Sequence, residues 1–353
     1  MARIAVIPGD GIGIDVTAEA VKVMKALAAA RRIPLELVLF PHGAQHYLDT
    51  GVSFPDSVLD DIRQHYDAVF LGALGDPRIP DMSNARDILF GLRFGLDLFI
   101  NFRPVKLLDE RLSPLKGRGP ADLDLVVFRE NTEGHYVHMG GIFKKGTPDE
   151  IAINEDVNTR KGVERIIRAA FEYARDHGRP SLTMSDKSNA LRFAHDLWQR
   201  TFIEVSREYP SIEPRHLYID ALAMQLIKNP GQFHVIVTCN LFGDIITDLG
   251  AALQGGLGMA ASGNIHPGRV SMFEPVHGSA PKYAGKDTAN PIGAILTAQM
   301  LLEQVGFAKE AKVIEEAVRA ALQSGRATKD VGGSLGTRAT GDAIALEVER
   351  LSA

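Results

Sequence analysis

His234-Val-Ile-Val-Thr-Cys-Asn-Leu-Phe-Gly-Asp-Ile-Ile-Thr-Asp248 is the stretch on which the assignment of the chain turns. Val235 to Cys239 is an apolar, largely β-branched run of the kind that forms a buried strand. Asn240 and Gly243 interrupt it, and a helical pattern takes over. Asp244 and Asp248 stand four residues apart, so both carboxylates fall on one helix face, one turn from each other. Like charges at that spacing weaken an isolated helix, and nothing in the stretch neutralises them. Acidic residues also complement the positive end of a helix dipole, which is one explanation. The other, which the pair favours, is a hard divalent cation, Mg²⁺ or Mn²⁺, taking oxygen ligands.

Outward from this stretch, strands and helices alternate. Residues 3–8 are a strand, followed by Gly9-Asp-Gly-Ile-Gly13 and a helix over about 15–30. A dinucleotide fingerprint G-x-G-x-x-G needs glycine at position 14, which is Ile14, so the spacing rejects the standard Rossmann loop. The pattern predicts strands at 35–40, 68–71 and 123–128, and helices at 55–65 and 84–95. An extended segment over 98–104 follows the second of these helices. Residues 133–155, punctuated by Gly134, Gly140, Gly141, Gly146 and Pro148, suggest a hairpin arm. Helices at 158–177 and 190–208 and a strand at 215–219 precede the opening stretch. Two helices over 290–324 and a final one close the chain. Alternation of this kind means an α/β architecture with helices packed on a sheet.

The length of 353 residues suits about two domains. Apolar residues make up 45% and charged residues 24%, as in ordinary globular proteins. A net charge of −5 leaves no electrostatic footprint for nucleic acid or an anionic membrane. The uncharged stretch 249–268 contains six glycines together with Gln254, Asn264 and His266, so it does not span a bilayer. Cys239 is the single cysteine and reads as a buried strand thiol. The chain opens directly on a strand with no targeting pattern, and the expected location is the cytoplasm.

Three arginines flank apolar segments: Arg93 on the 84–95 helix, Arg103 before Pro104, and Arg129 after the 123–128 strand. A guanidinium grips carboxylates bidentately, so together they would suit a dianionic acid, although singly each is more often a surface or ion-pair residue. Arg86, Phe90 and Arg93 share one helix face. Tyr136 and Lys187 are candidate proton carriers, because a nearby cation would push both toward deprotonation. Glu274-Pro-Val-His-Gly-Ser-Ala-Pro-Lys-Tyr-Ala-Gly285, then Asn290-Pro291, exposes many backbone groups and suits a nucleotide.

Six segments together resemble the β-decarboxylating dehydrogenases. They are Ile7-Pro-Gly-Asp-Gly-Ile-Gly13, Leu92-Arg-x₄-Leu-x-Leu-Phe-x-Asn-x-Arg-Pro104, Arg129-Glu-Asn-Thr-Glu-Gly134, Asp186-Lys-x-Asn189, Asn240-Leu-Phe-Gly-Asp-Ile-x-x-Asp248 and Glu274-Pro-Val-His-Gly-Ser-Ala-Pro281. The resemblance runs over nearly the whole chain. It implies two α/β domains with the active-site cleft between them, 1–100 plus 254–353 on the cofactor side and 101–253 in the middle. The middle domain would carry the arm and the interface of a homodimer. It implies that Arg93, Arg103 and Arg129 bind substrate carboxylates, with Leu89 and Phe90 beside the side group. It assigns Asp220, Asp244 and Asp248 to the metal, and Tyr136 and Lys187 to proton transfer. Lys187 and Asp220 would enter from the partner. The cofactor would lie among Ile12, Asn189, Glu274, His277, Gly278, Ser279, Ala280, Lys282, Asn290 and Asp330.

The implied reaction is metal-dependent oxidative decarboxylation of a malate-type 2-hydroxy acid with NAD. The 3-isopropylmalate type leads, followed by the tartrate, D-malate, homoisocitrate and isocitrate types. Arg86 stands where the leading type often has glutamate, and Lys282 where NAD enzymes usually have aspartate, which leaves NADP open. A regulatory subunit without activity is the alternative of a different class, but no acid, base or metal carboxylate is missing.

Overall fold

The computed structural model describes Met1–Ala353. The chain begins β1 (Ala2–Ile7), α1 (Ile12–Arg31), β2 (Leu35–Leu39), α2 (Ala44–Thr50), α3 (Asp56–His65), β3 (Ala68–Leu71), α4 (Ser83–Gly95), β4 (Ile100–Lys106) and β5 (Asp124–Glu130). It continues with β6 (Gly140–Phe143), β7 (Ile151–Asn154), α5 (Arg160–Asp176), β8 (Ser181–Asp186), α6 (Arg192–Ser206), β9 (Glu213–Tyr218), α7 (Ile219–Lys228), β10 (Val235–Thr238) and α8 (Asn240–Leu253). It ends with β11 (Ala261–Ile265), β12 (Ser271–Pro275), α9 (Ile292–Gln304), α10 (Ala308–Gln323) and α11 (Thr337–Ser352). Two compact units result: Met1–Leu98, Pro104–Ala121 and Ala251–Ala353 form one, and Phe99–Arg103 with Asp122–Gly250 the other. We call them the terminal unit and the middle unit.

In the terminal unit the strand order is β2-β1-β3-β12-β11. The first four are parallel, and β11 runs antiparallel to β12. Strands buried on both faces read as continuous apolar runs, and Ala68-Val-Phe-Leu71 is fully buried. Ala5, Ile7, Val69, Leu71 and Met272 from the strands pack against Ile62 of α3 and Ile88 and Leu92 of α4. Each large side chain so removed from water stabilises the fold by about 1.5–3 kcal/mol before ordering costs. Emptying one, as in Ile88→Ala, costs about 2–5 kcal/mol.

The middle unit carries the parallel order β5-β10-β8-β9. Helix α5 shows how its sequence chooses a face. Val163, Ile166, Ile167, Ala170, Phe171 and Ala174 recur at helical spacing and are all buried. Thr159 caps the helix by accepting the N–H of Gly162 at 3.0 Å. The arm is a two-stranded antiparallel hairpin, β6 with β7, pairing Gly140 with Asn154 and Phe143 with Ile151. Every residue of both strands is exposed, including Ile142, Phe143, Ile151 and Ile153. A lone hairpin is marginal in water.

Several elements differ from the sequence pattern. The strand expected at 215–219 ends at Tyr218, and α7 begins at once, so Asp220 lies in a first helical turn. Helix α2 and the strands β11 and β12 occupy segments without a clear period. No helix is long and apolar enough to cross a membrane.

Candidate active site

In the middle unit, strand β10 delivers the chain to α8, whose exposed face carries Asp244 and Asp248. The charges left unneutralised in the local sequence meet arginines from distant strands. Arg129, at the end of β5, is 2% exposed and forms an ion pair with Asp244. Its Nε and Nη2 also donate to Asn240 Oδ1, at 3.0 and 2.7 Å. Arg103 of β4 donates to Thr247 Oγ1 at 2.6 Å and lies 3.6 Å from Asp244 and 3.8 Å from Asp248. The Tyr136 hydroxyl donates to Asp244 Oδ2 at 2.7 Å, and its ring lies under the Arg129 guanidinium at 5.2 Å. Asp244 is thus the hub of two arginines and a phenol.

Gly243 is what lets Arg129 in. A Cβ there would come within 2.5 Å of the Arg129 side chain, so the arginine stem lies directly on the helix backbone. Asp248 is more open. Loss of water around its carboxyl pushes its pKa above the ordinary range, Arg103 pulls it down, and Asp244 pushes it up again.

Lys187 and Asp220 form a second cluster in the same unit, Nζ to Oδ1 at 2.5 Å. The Lys187 ammonium holds the Asp220 carboxyl below its ordinary range. The preceding Asp186, buried at the end of β8, accepts from Ser188, Gln199 and His216. Asn189 is exposed two residues beyond Lys187. No three His, Cys, Asp or Glu side chains converge within this chain as a complete cation cage would require, so Asp220 does not join Asp244 and Asp248 here. The α8 pair nevertheless fits a hard cation. It offers only oxygen donors, and Asp248 is a carboxylate whose charge is under-compensated, which a cation beside it would relieve.

The terminal unit contributes a different kind of surface. Ile12 N–H donates to Ser279 O at 2.8 Å, which ties the loop before α1 to the 274–285 loop. Gly11 has φ +58°, and a Cβ on it would sit 2.2 Å from Ser279 O, so only glycine allows this approach. Ala280 is also left-handed at φ 36°. His277 is buried, and loss of water lowers its pKa; its Nδ1 lies near Gly278 O and its Nε2 has no partner. Asn290 donates to Asp330 at 3.0 Å and accepts the N–H of Ile292 at 3.0 Å, while Thr328 donates to Asp330 at 2.6 Å. Lys282 is exposed, its ammonium 4.8 Å over the Tyr283 ring. Glu274 accepts from Arg93 at 3.2 Å and Asn264 at 2.9 Å. On α4, Leu89 and Phe90 are half-buried and Arg86 is exposed. A cavity of about 770 Å³ opens beside this loop, bordered by Gly11, Ile14, His42, Gln45, Arg78 and Pro281 and by none of the expected cofactor residues.

Asn240, Gly243 and Thr247 belong to the Asp244 cluster as supports, yet in the opening stretch Asn240 and Gly243 register only as the break after the strand and Thr247 not at all. Their signal is position: each lies within one turn of Asp244. His195, which touches the Lys187 backbone, has no motif at all.

The chain matches the isocitrate/isopropylmalate dehydrogenase family over residues 3–344. A 3-isopropylmalate dehydrogenase of Thermobifida fusca (strain YX) is 48% identical over 98% of this chain and 97% of its own length. One from Streptomyces griseus is 46% identical over 98% of each. Among solved structures, the isocitrate dehydrogenase of Methylococcus capsulatus superposes with TM-score 0.89 at 37% identity, covering 99% of this chain and 100% of that one. A β-decarboxylating dehydrogenase of Thermococcus kodakarensis gives TM-score 0.82 at 36% identity, covering 99% and 97%. With these segments present in order and the fold shared end to end, the chain belongs to the isocitrate/isopropylmalate dehydrogenase family and is a decarboxylating dehydrogenase.

Proposed function

We propose that the chain is an NAD-dependent 3-isopropylmalate dehydrogenase of leucine biosynthesis, acting as a cytoplasmic homodimer with shared active sites. The observation that carries the chemistry is the Asp244 hub, where two arginines, a phenol and a second carboxylate meet on one helix face. The choice of substrate rests on the relatives named above.

In this reading Arg103 and Arg129 orient the substrate's carboxylates with Arg93 of α4, their forks already aimed by Thr247, Asn240 and Glu274. Asp244 and Asp248, with Asp220 of a second copy, hold a divalent cation. When bound, the cation would supply Lewis acidity for the substrate hydroxyl, and NAD would supply a hydride acceptor. Lys187, from the second copy, takes the hydroxyl proton. Tyr136 returns a proton to carbon after carbon dioxide leaves, its hydroxyl held by Asp244. Leu89 and Phe90 face the alkyl group and exclude water from it. Ile12, Asn189, Glu274, His277 to Ala280, Asn290 and Asp330 hold the cofactor, with Lys282 at its ribose and open to the 2′-phosphate of NADP.

One observation favours a second substrate class. Arg86 is exposed on α4 one turn before Phe90, so a more polar acid such as homoisocitrate or tartrate has a cation within that face. A steady-state panel decides: 3-isopropylmalate, D-malate, tartrate, isocitrate and homoisocitrate, each with NAD and NADP, with and without Mn²⁺. The expected optimum in kcat/KM is 3-isopropylmalate with NAD, lost in excess chelator. A higher value with another acid replaces the substrate, and no turnover in any combination replaces the enzyme by a regulatory subunit.

A further inference from the structure

Helix α6 brings His195 behind Lys187. His195 is 1% exposed, and its Nδ1 accepts the backbone N–H of Lys187 at 2.7 Å. A backbone N–H only donates, so Nδ1 bears no proton and the ring carries its single proton on Nε2. Burial agrees: loss of water lowers the His195 pKa, Asp186 and Asp156 pull it up, and His135 lowers it further. Nε2 is buried without a partner, and the residue lines a small cavity together with His135, Asp156, Cys239 and Leu241. The edge of Phe242 packs on the ring, centroids 5.5 Å apart at 82°.

The geometry around Lys187 is a clamp. Its carbonyl accepts from Ala190 and Leu191 at 2.9 and 2.8 Å, and its Nζ reaches Asp220. Its own N–H is taken by a side chain from a helix whose first turn starts five residues later. The ring ties the residue after the end of β8, Lys187, to the first turn of α6. An orphaned Nε2–H is an unfavourable feature in an interior, and a leucine would avoid it. What only the imidazole provides at this place is a buried acceptor for Lys187.

We propose that His195 is a positioning residue: as a neutral imidazole it fixes the main chain of Lys187 and so the direction in which the ammonium leaves it. This rests on the reading above in which Lys187 moves the substrate's hydroxyl proton. A small backbone rotation at Lys187 swings a long side chain through more than an ångström, and misplacement of that size costs on the order of 100-fold in rate.

Four variants test this, assayed with 3-isopropylmalate, NAD and Mn²⁺, with hydrogen exchange of the Lys187 amide as a readout independent of activity. His195→Asn puts an oxygen where Nδ1 sits and keeps the acceptor. His195→Gln carries its amide past that point, and His195→Leu has no acceptor. Leu and Gln should lose roughly 10- to 100-fold in kcat with little change in KM, and their Lys187 amide should exchange faster. Asn should stay within about threefold of wild type and remain protected. Protonation of the His195 ring, which is faced by Asp186, Asp156, His135 and Cys239, would remove the acceptor and should therefore contribute to the acid limb of the wild-type kcat profile. Asn does not titrate and should shift that limb to lower pH. Lys187→Met separates the two ways of failing. Wild-type turnover in Lys187→Met overturns the role of Lys187, whereas an inactive Lys187→Met beside fully active Leu and Gln variants overturns the positioning role alone. Equal losses in Asn, Gln and Leu that follow their melting temperatures assign His195 to packing and also overturn it. If Leu does not fold, the Asn and Gln pair carries the comparison.

Discussion

The surroundings of Asp244 and those of Asn290 are made of different materials. Around α8, opposed charges from β4, β5 and the α8 face compensate one another through side chains that start far apart in sequence. Around the 274–290 loop the contacts are backbone to backbone, or through small polar groups, and depend on what is missing: no Cβ at Gly11, a left-handed Ala280. A charge network is indifferent to small displacements and sensitive to a lost charge. A backbone cradle is the reverse, tolerant of charge and intolerant of one extra methyl group.

The first way to break this contrast is to neutralise the hub without changing its shape. Asp244→Asn should lower kcat by about 10³-fold, because Arg129, Arg103 and Tyr136 all lose their shared acceptor charge. Circular dichroism should be unchanged and the Mn²⁺ requirement should rise. Activity in that variant within tenfold of wild type would remove Asp244 from the chemistry.

The proposed homodimer with shared sites predicts which subunit owns which charge. Lys187→Met and Asp248→Asn should each be inactive, yet refolding them together should return about a quarter of wild-type activity. Random pairing makes half the dimers mixed, and half of their sites whole. A mixture that stays inactive while mixed dimers form means each site is built from one chain.

The backbone cradle is sharpened by the opposite kind of change. Gly11→Ala adds a methyl 2.2 Å from Ser279 O at a left-handed φ and should destabilise the chain by about 1–3 kcal/mol. In urea titrations this appears as an earlier midpoint, and NAD binding followed by fluorescence should weaken about tenfold, that is roughly 1.4 kcal/mol. Charge reversal in the same region should do less. Lys282→Asp should shift the NADP/NAD ratio of kcat/KM about tenfold toward NAD and leave stability alone. An unchanged ratio places Lys282 away from the ribose.

The smallest effect belongs to a charge pair outside both regions. Arg111 donates to the Asp109 carboxylate at 2.9 and 2.6 Å and holds that carboxyl below its ordinary range. A depressed folded-state pKa gives stability that is present above the unfolded value, near 4, and disappears as pH falls through the folded one. Asp109→Asn should therefore be less stable than wild type at pH 6, by under about 1 kcal/mol given the open arginine, and the gap should close below about pH 4. A gap that widens on acidification would mean the pair is not what holds the turn.

The two regions also differed in how plainly the sequence announced them. Asp244 and Asp248 stood out because two carboxylates on one helix face conflict locally, and that conflict is resolved only by Arg103 and Arg129 across the fold. Gly243 was visible as a break in the strand, but its purpose, room for the Arg129 stem, belongs to packing. The short strand β11, Ala-Ser-Gly-Asn-Ile, carries no β-rich pattern. It forms because Gly263 lets Phe273 and Met300 close over it, with a Cβ contact of 3.0 Å. Helix α7 was hidden by β9, since Tyr218 passes into Ile219 with no capping side chain between them. His195 was invisible for a simpler reason. A histidine on an apolar helix face looks the same whether it fills space or holds another residue's amide.

Cys239 stands between β10 and α8, where burial pushes its thiol up to about 12. At neutral pH it is almost wholly in the unreactive thiol form, and reagents that attack thiolates find nothing to react with while the strand stays closed. It is the only thiol in the chain. Maleimide addition should therefore report opening of the junction beneath Asp244, and a ligand that holds the junction closed should slow it.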